Sequence, residues 1–148
     1  MDFALRTISA ADTHRLRHRV LRPNQPPAAA AYPLDRQADA AHFGCFVADG
    51  LVGVASVYRE DPDGATESRE FRVRGMAVDP ARQGAGMGRA LLAACVDHAR
   101  SLGGSRVWCN ARVTASDFYS RCGFRQSGPE FDLPPLGPHR VMVLSLVT

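Results

Sequence analysis

The chain has 148 residues, enough for one domain of ordinary size. Hydrophobic residues make up 45% and charged residues 22%, which excludes wholesale disorder, and such a chain buries roughly 68–70% of its unfolded surface without metal or disulfide staples. The net charge of +3 is too small to argue for a nucleic-acid partner; all 18 basic residues are arginine, whose planar forks suit carboxylates and phosphates. The longest apolar run, Ala90 to Val96, is far short of the ~18–20 residues of a membrane span, and the N-terminus lacks a basic stretch leading into an apolar one. A cytoplasmic protein with no membrane association is expected.

In chain order, residues 3–8 read as a short strand. Asp12 then reads as the N-cap of a helix over 13–22, with Leu16, Val20 and Leu21 on its apolar side and Pro23 as its stop. Arg17, Arg19 and Arg22 read as a solvated helix face, with contact to an acidic acceptor as the alternative. The stretch 23–41 carries four prolines and reads as a long loop with one helical turn near 35–41, placed to cover a pocket. His42–Ala48 and Leu51–Tyr58 are strands joined by Asp49-Gly50, a hairpin pattern, and Glu70–Val78 is a third antiparallel strand. A glycine-rich turn opens a helix over 87–102, with Met87, Leu91, Ala94, Cys95 and Leu102 at helical spacing. Ser105–Cys109 follows as a strand parallel to the earlier one, because a helix crosses between them. A short helix near 115–121, closed by Gly123, and two last strands, Phe124–Gln126 and His139–Val147, complete an α/β layer architecture around one mixed sheet.

Cys45, Cys95, Cys109 and Cys122 form no C-x-x-C pair and read as reduced thiols. His14 and His18 have metal-ligand spacing, but four nearby arginines and no neighbouring carboxylate argue against a cation there, so no metal is expected.

The segment Met76-Ala77-Val78-Asp79-Pro80 leads from a strand into Gln83-Gly84-Ala85-Gly86-Met87-Gly88-Arg89, which opens an amphipathic helix. Glycines let backbone N–H groups approach a ligand, and the first helical turn adds unpaired N–H groups and the positive end of a dipole. Together they form a cradle for a pyrophosphate. A nucleotide P-loop requires lysine, which the chain lacks, and the glycine spacing departs from the dinucleotide fingerprint. The alternative is a tight turn with no ligand.

Gln83-x-x-Gly86-x-Gly88 with its flanks resembles the acyl-CoA-binding motif of the GNAT superfamily of N-acetyltransferases. Asn110, Ala115, Phe118-Tyr119 and Cys122-Gly123-Phe124 are similar to that superfamily's downstream strand-helix unit. The resemblance implies a single mixed, mostly antiparallel sheet with a central V-shaped splay, flanked by helices, and residues 1–148 as one N-acetyltransferase domain. It implies acetyl-CoA as co-substrate. Gln83, Gly84, Ala85, Gly86, Met87, Gly88 and Arg89 would wrap the pyrophosphate. Met76, Ala77 and Val78 would run along the pantetheine arm as an added strand, and Asn110 would bond it at the splay. Tyr119 would protonate the departing thiolate. Many family members carry asparagine seven residues before that tyrosine; here the position is Arg112, which faces either the cofactor or the acceptor.

The expected reaction is direct attack of a primary amine, from a small molecule or peptide, on acetyl-CoA. An amine with a pKa near 10 is only about 0.1% free base at pH 7, a handicap of roughly 4 kcal/mol. A carboxylate acting through water or a desolvating pocket must remove its proton, and Glu70, on the strand leading into the loop, is the candidate base; its alternative is an ion pair with Arg72 or Arg74. Cys109 has no adjacent basic group to activate it as a nucleophile. A non-catalytic acyl-CoA-binding module with the same fold is the rival reading, and edge strands leave a homodimer open.

Overall fold

A computed structural model describes residues 2–66 and 68–147. Eight strands form one sheet in the order β1-β2-β3-β4-β5-β8-β6, with β7 also paired to β8. They are β1 (Ala4–Ile8), β2 (Ala41–Val47), β3 (Gly50–Arg59), β4 (Glu70–Val78), β5 (Arg106–Arg112), β6 (Arg125–Gln126), β7 (Phe131–Asp132) and β8 (Pro138–Ser145). All neighbours are antiparallel except β4 and β5, which are joined by α2 (Met87–Ser101) and run parallel. A single mixed, mostly antiparallel sheet with flanking helices is therefore the observed architecture. No helix among the described residues is long and apolar enough to cross a membrane.

Helix α2 buries Met87, Leu91, Leu92, Cys95, Val96 and Ala99 against β2, β3 and β4, while Leu102, expected on that face, is 39% exposed. Its apolar stripe is thus centred between Leu91 and Leu92, and Leu102 lies past the last helical turn, where the face no longer points at the sheet. The β2–β3 turn is centred on Ala48 and Asp49, one position earlier than Asp49-Gly50, with Ala48 at φ 53° and Gly50 already paired with Val47.

The first helical segment is irregular. A 3₁₀ turn at Ala11–Thr13, one α turn at His14–Leu16 (α1) and a π turn at Arg17–Leu21 follow each other. Asp12 lies inside the first turn: its carboxylate accepts the Ser9 N–H at 3.1 Å while Ser9 Oγ accepts the Asp12 N–H at 3.1 Å. That reciprocal pair makes Ser9 the starting residue of the segment. Leu16 packs with Val54 and Ala77 in a cluster that Val20 and Leu21 partly cover. Arg17, read from the sequence as solvated, is completely buried. The single helical turn of the 23–41 loop falls at Pro27–Ala30 instead of 35–41, since Pro27 has a preset φ and no N–H to lose at a first helical position.

A buried polar network ties that loop to the sheet. Arg17 donates to Asp35 Oδ2 and Oδ1 at 2.7 and 2.9 Å, to the Ala30 carbonyl at 2.9 Å and to Ser56 Oγ at 2.7 Å. His42 Nε2 faces the Asp35 carbonyl at 2.8 Å, which can only accept, so the proton sits on Nε2 and Nδ1 accepts from Ser56 Oγ at 2.6 Å. Burial holds His42 below the ordinary imidazole range. Burial alone would raise Asp35, but the Arg17 guanidinium and the Tyr32 N–H outweigh it and leave the carboxyl below its ordinary value.

Candidate active site

The parallel pairing of β4 and β5 lasts three residues, Glu70↔Arg106, Phe71↔Val107 and Arg72↔Trp108. Beyond it β4 stays with β3 as far as Val78, and β5 stays with β8 as far as Arg112, so the two halves of the sheet part. A bulge in β4 at Gly75 assists the parting: the register to β3 slips between Val54 and Ser56, and Gly75 adopts φ 69°. A Cβ at Gly75 would lie 2.7 Å from Arg17 Nε and 3.0 Å from the Tyr32 ring, so the bare backbone is what admits both side chains.

At the C-terminal end of β4, Asp79 accepts the Ala81 N–H at 3.0 Å and orders the 3₁₀ turn Pro80–Arg82, while Gln83 Nε2 donates to the Val78 carbonyl at 3.2 Å. Gly84 and Gly86 take φ of 87° and 88°, a left-handed conformation that glycine adopts without strain. Helix α2 starts at Met87 with no side-chain cap and no acidic residue in its first turn. Its first bond from this end runs from the Ala90 N–H to the Gly86 carbonyl at 3.1 Å, leaving the N–H groups of Met87, Gly88 and Arg89 without intrahelical acceptors. At Gly88 a Cβ would sit 3.4 Å from the Phe118 ring and 3.8 Å from Met76 Sδ, so this glycine brings the helix start against α3 (Ser116–Arg121) and β4 together. Residues 81–85 are exposed and nothing lies within 4 Å of a Cβ built at Gly84. Asp79 engages the amides of Ala81 and Arg82, and the exposed backbone of 83–85 together with the free N–H groups of 87–89 fits a diphosphate.

The mouth of the V is a cavity of about 200 Å³. Of the residues singled out from the sequence, Met76, Asn110 and Tyr119 line it together; Ala77 is buried against Leu16 and Val54 instead, and residues 83–89 form the separate loop just described. Tyr119 is held edge-on between Phe118 and Phe124, at ring separations of 5.1 and 5.6 Å. Burial, and then the neighbouring Cys109 thiol, raise its hydroxyl well above 10, so it remains a protonated phenol throughout the physiological range. Burial likewise pushes the Cys109 thiol up to about 12, which removes the thiolate a nucleophile would need.

Glu70 is not brought to this cavity. It lies at the closed end of the V, where its Oε1 accepts from Arg106 Nε at 2.8 Å and Nη2 at 2.6 Å. Its ion-pair partner is neither Arg72 nor Arg74; parallel pairing sets Arg106 beside it, and Arg72 pairs instead with Glu60 at 2.9 Å. Among the described residues the lining contains no carboxylate and one imidazole, His139. His139 Nδ1 lies 2.7 Å from the Gly137 carbonyl and must donate to it, which leaves Nε2 as the acceptor nitrogen. His139, Arg74 and Tyr32 were absent from the sequence-based site. His139 opens a strand after a proline-rich loop and carries no motif; only the Arg112↔His139 register brings it here. Among the described residues no group of histidine, cysteine and acidic side chains could hold a metal ion.

Comparison with known proteins agrees with this geometry. Residues 11–133 match the family model of the acetyltransferase (GNAT) domain. A Bacillus subtilis (strain 168) protein called an uncharacterized N-acetyltransferase, YitI, is 33% identical over 144 residues, covering 97% of each chain. Among solved structures, Ard1 from Thermoplasma volcanium superposes with a TM-score of 0.79 at 20% identity over 100% of both chains. The ribosomal-protein-S18-alanine N-acetyltransferase of Escherichia coli gives 0.76 at 18% identity over 99% of this chain and 95% of its own. With a glycine-rich loop at a helix start, a sheet that opens beside it and a family match spanning most of its length, the chain belongs to the GNAT family of acetyltransferases.

Proposed function

We propose that this enzyme transfers an acetyl group from acetyl-CoA to a primary amine of a small molecule or peptide by direct attack, within a single domain and in the cytoplasm. The observation that carries the reading is the continuity between two parts of the site. The amides of 83–89 suit a diphosphate, and the unpaired edge of β4 leads from that loop to a cavity lined by Met76 and Tyr119. Acetyl-CoA, when bound, supplies the activated thioester; the remaining work falls to the chain's own residues.

The backbone of Gln83 to Arg89 binds the diphosphate, and Met76 to Val78 offer strand-like hydrogen bonds to the pantetheine arm, with Asn110 opposite them. The free amides of the splayed strands face the charge that develops on a carbonyl oxygen under attack. Tyr119 donates its proton toward the sulfur. A phenol held far above 10 is a weak acid in water, but the burial that raises it also raises a thiolate formed beside it, so donor and leaving group stay matched. His139 Nε2 accepts the amine proton in place of Glu70, as the one imidazole of the lining among the described residues. Direct transfer, with no acyl-cysteine, follows from the inert Cys109 thiol. Four unpaired cysteines suit a reducing compartment.

Gly86→Glu tests the cradle by placing a side chain and a like charge beside the diphosphate. With wild-type protein, acetyl-CoA at a hundredfold excess over Kd adds about 2.7 kcal/mol of stability, a rise of about 5–10 °C in Tm. A glutamate at the left-handed φ of residue 86 costs about 1–2 kcal/mol, so the apo variant is expected to melt a few degrees below wild type and to show no rise above its own apo temperature; an undiminished rise refutes the assignment.

A further inference from the structure

We infer that the acceptor is a small amine carrying its own oxyanion, a carboxylate or a phosphate, held by Arg22, Arg74 and Arg112; this rests on the transferase reading above and names its substrate class. Three elements each place an arginine on the wall of one cavity: Arg22 from the end of the first helical segment, Arg74 from β4 and Arg112 from β5. None of the three has a carboxylate partner among the described residues. Arg112 donates only to the Leu21 carbonyl at 2.9 Å. Arg74 and Arg22 stack on Tyr32, at 4.0 and 5.5 Å from its ring centre, an arrangement that positions a guanidinium without neutralising it.

The other arginines near the cavity have carboxylate partners. Arg17 is held by Asp35 and Arg72 by Glu60. Since the lining contains no acidic side chain among the described residues, these three arginines have no carboxylate counterpart around about 200 Å³. They do not belong to the diphosphate cradle, because no residue of 83–89 lines this cavity. The arrangement suits the planar, forked recognition that guanidinium groups give carboxylates and phosphates. It also serves the chemistry. A ligand oxyanion offsets part of the charge, while the surrounding cations disfavour an ammonium and shift the acceptor toward the free amine that attacks. Polyamines, which bring only positive charge, are excluded by the same field.

The test uses the full chain saturated with CoA, so that binding is measured without turnover. The probes are L-glutamate against its diamide, O-phosphoethanolamine against ethanolamine, and putrescine, titrated by calorimetry. At least one oxyanion probe is expected to bind about tenfold or more tightly than its neutral match, with affinity falling as salt rises. The glutamate and phosphoethanolamine arms separate carboxylate from phosphate. Arg74→Gln and Arg112→Gln are expected to weaken that probe while Arg74→Lys restores part of it; the wild-type comparison decides the matter even where a variant folds poorly. Neutral matches or putrescine binding as well as the oxyanion probes, or neither oxyanion probe binding, overturns the inference. Mass spectrometry of acetylated product with acetyl-CoA separates the two readings. Bound oxyanion probes with no product from any amine refute the transferase reading and support the ligand class. Preferential acetylation of putrescine or ethanolamine overturns the ligand class and leaves the transferase reading standing.

Discussion

Replacing Asp35 with asparagine keeps the shape of the side chain and removes one charge from the network that fastens the 23–41 loop. Arg17 is wholly buried, and Asp35 is its only carboxylate partner among the described residues. Its other acceptors, the Ala30 carbonyl and Ser56 Oγ, are neutral and cannot balance a guanidinium. Leaving one member of a buried pair uncompensated typically costs about 3–5 kcal/mol, a large part of the ~5–15 kcal/mol that holds a domain folded. With a urea slope of about 2 kcal/mol per molar, the midpoint is expected to fall by about 1.5–2.5 M. Joint replacement, Arg17→Met with Asp35→Leu, removes both charges and is expected to destabilise less than Asp35→Asn alone. The loss also has a functional trace. Asp35 accepts the Tyr32 N–H at 2.9 Å, and Tyr32 lines the cavity, so KM for the acceptor is expected to rise in Asp35→Asn while acetyl-CoA affinity holds. A midpoint within about 0.3 M of wild type, or a double variant weaker than the single one, refutes the reasoning.

Tyr119→Phe keeps the packing against Phe118 and Phe124 and removes the proton donor; turnover is expected to fall by about 10²–10⁴-fold with acetyl-CoA affinity nearly unchanged, and a surviving rate would assign thiolate protonation elsewhere. Cys109→Ala is expected to keep the reaction, with initial-rate lines that intersect; parallel lines and loss of activity would show an acyl-cysteine. His139→Gln is expected to lower kcat with acetyl-CoA affinity nearly unchanged, and an unchanged kcat would free His139 from the proton-acceptor role. His42 has a folded-state pKa below its unfolded value, so the unfolded chain binds the extra proton first. Stability is therefore fully present above about pH 6.5 and is lost as pH falls from there toward the folded-state value; thermal melts between pH 8 and 5 should show a falling Tm that His42→Asn flattens.

Hairpins, the crossover helix and the glycine-rich loop were legible in the sequence because each is written locally. Alternation marks β3 and β4, helical spacing marks α2, and Gly84 and Gly86 supply positive φ where the loop turns. The loop and the Tyr119 segment also carry motifs, and the helix crossing between β4 and β5 marked that pair as parallel. Boundaries slipped where a neighbour decided them, as at Leu102 and at the Ala48-Asp49 turn.

The cavity had no such local record. Residues 14–22 spell an arginine-rich helix that reads as a wet surface; only the folded chain shows Arg17 buried on Asp35, which lies 18 positions later. Glu70 and Arg106 are 36 positions apart, and only parallel register makes them partners at the closed end of the V, away from the cavity. Arg22, Arg74, Arg112 and His139 come from four separate elements and meet only because the sheet splits at Arg72↔Trp108. Backbone conformation and amphipathic faces depend on near neighbours and can be read along the chain. The charge balance of a cavity depends on which distant side chains share it, and that is decided by packing alone.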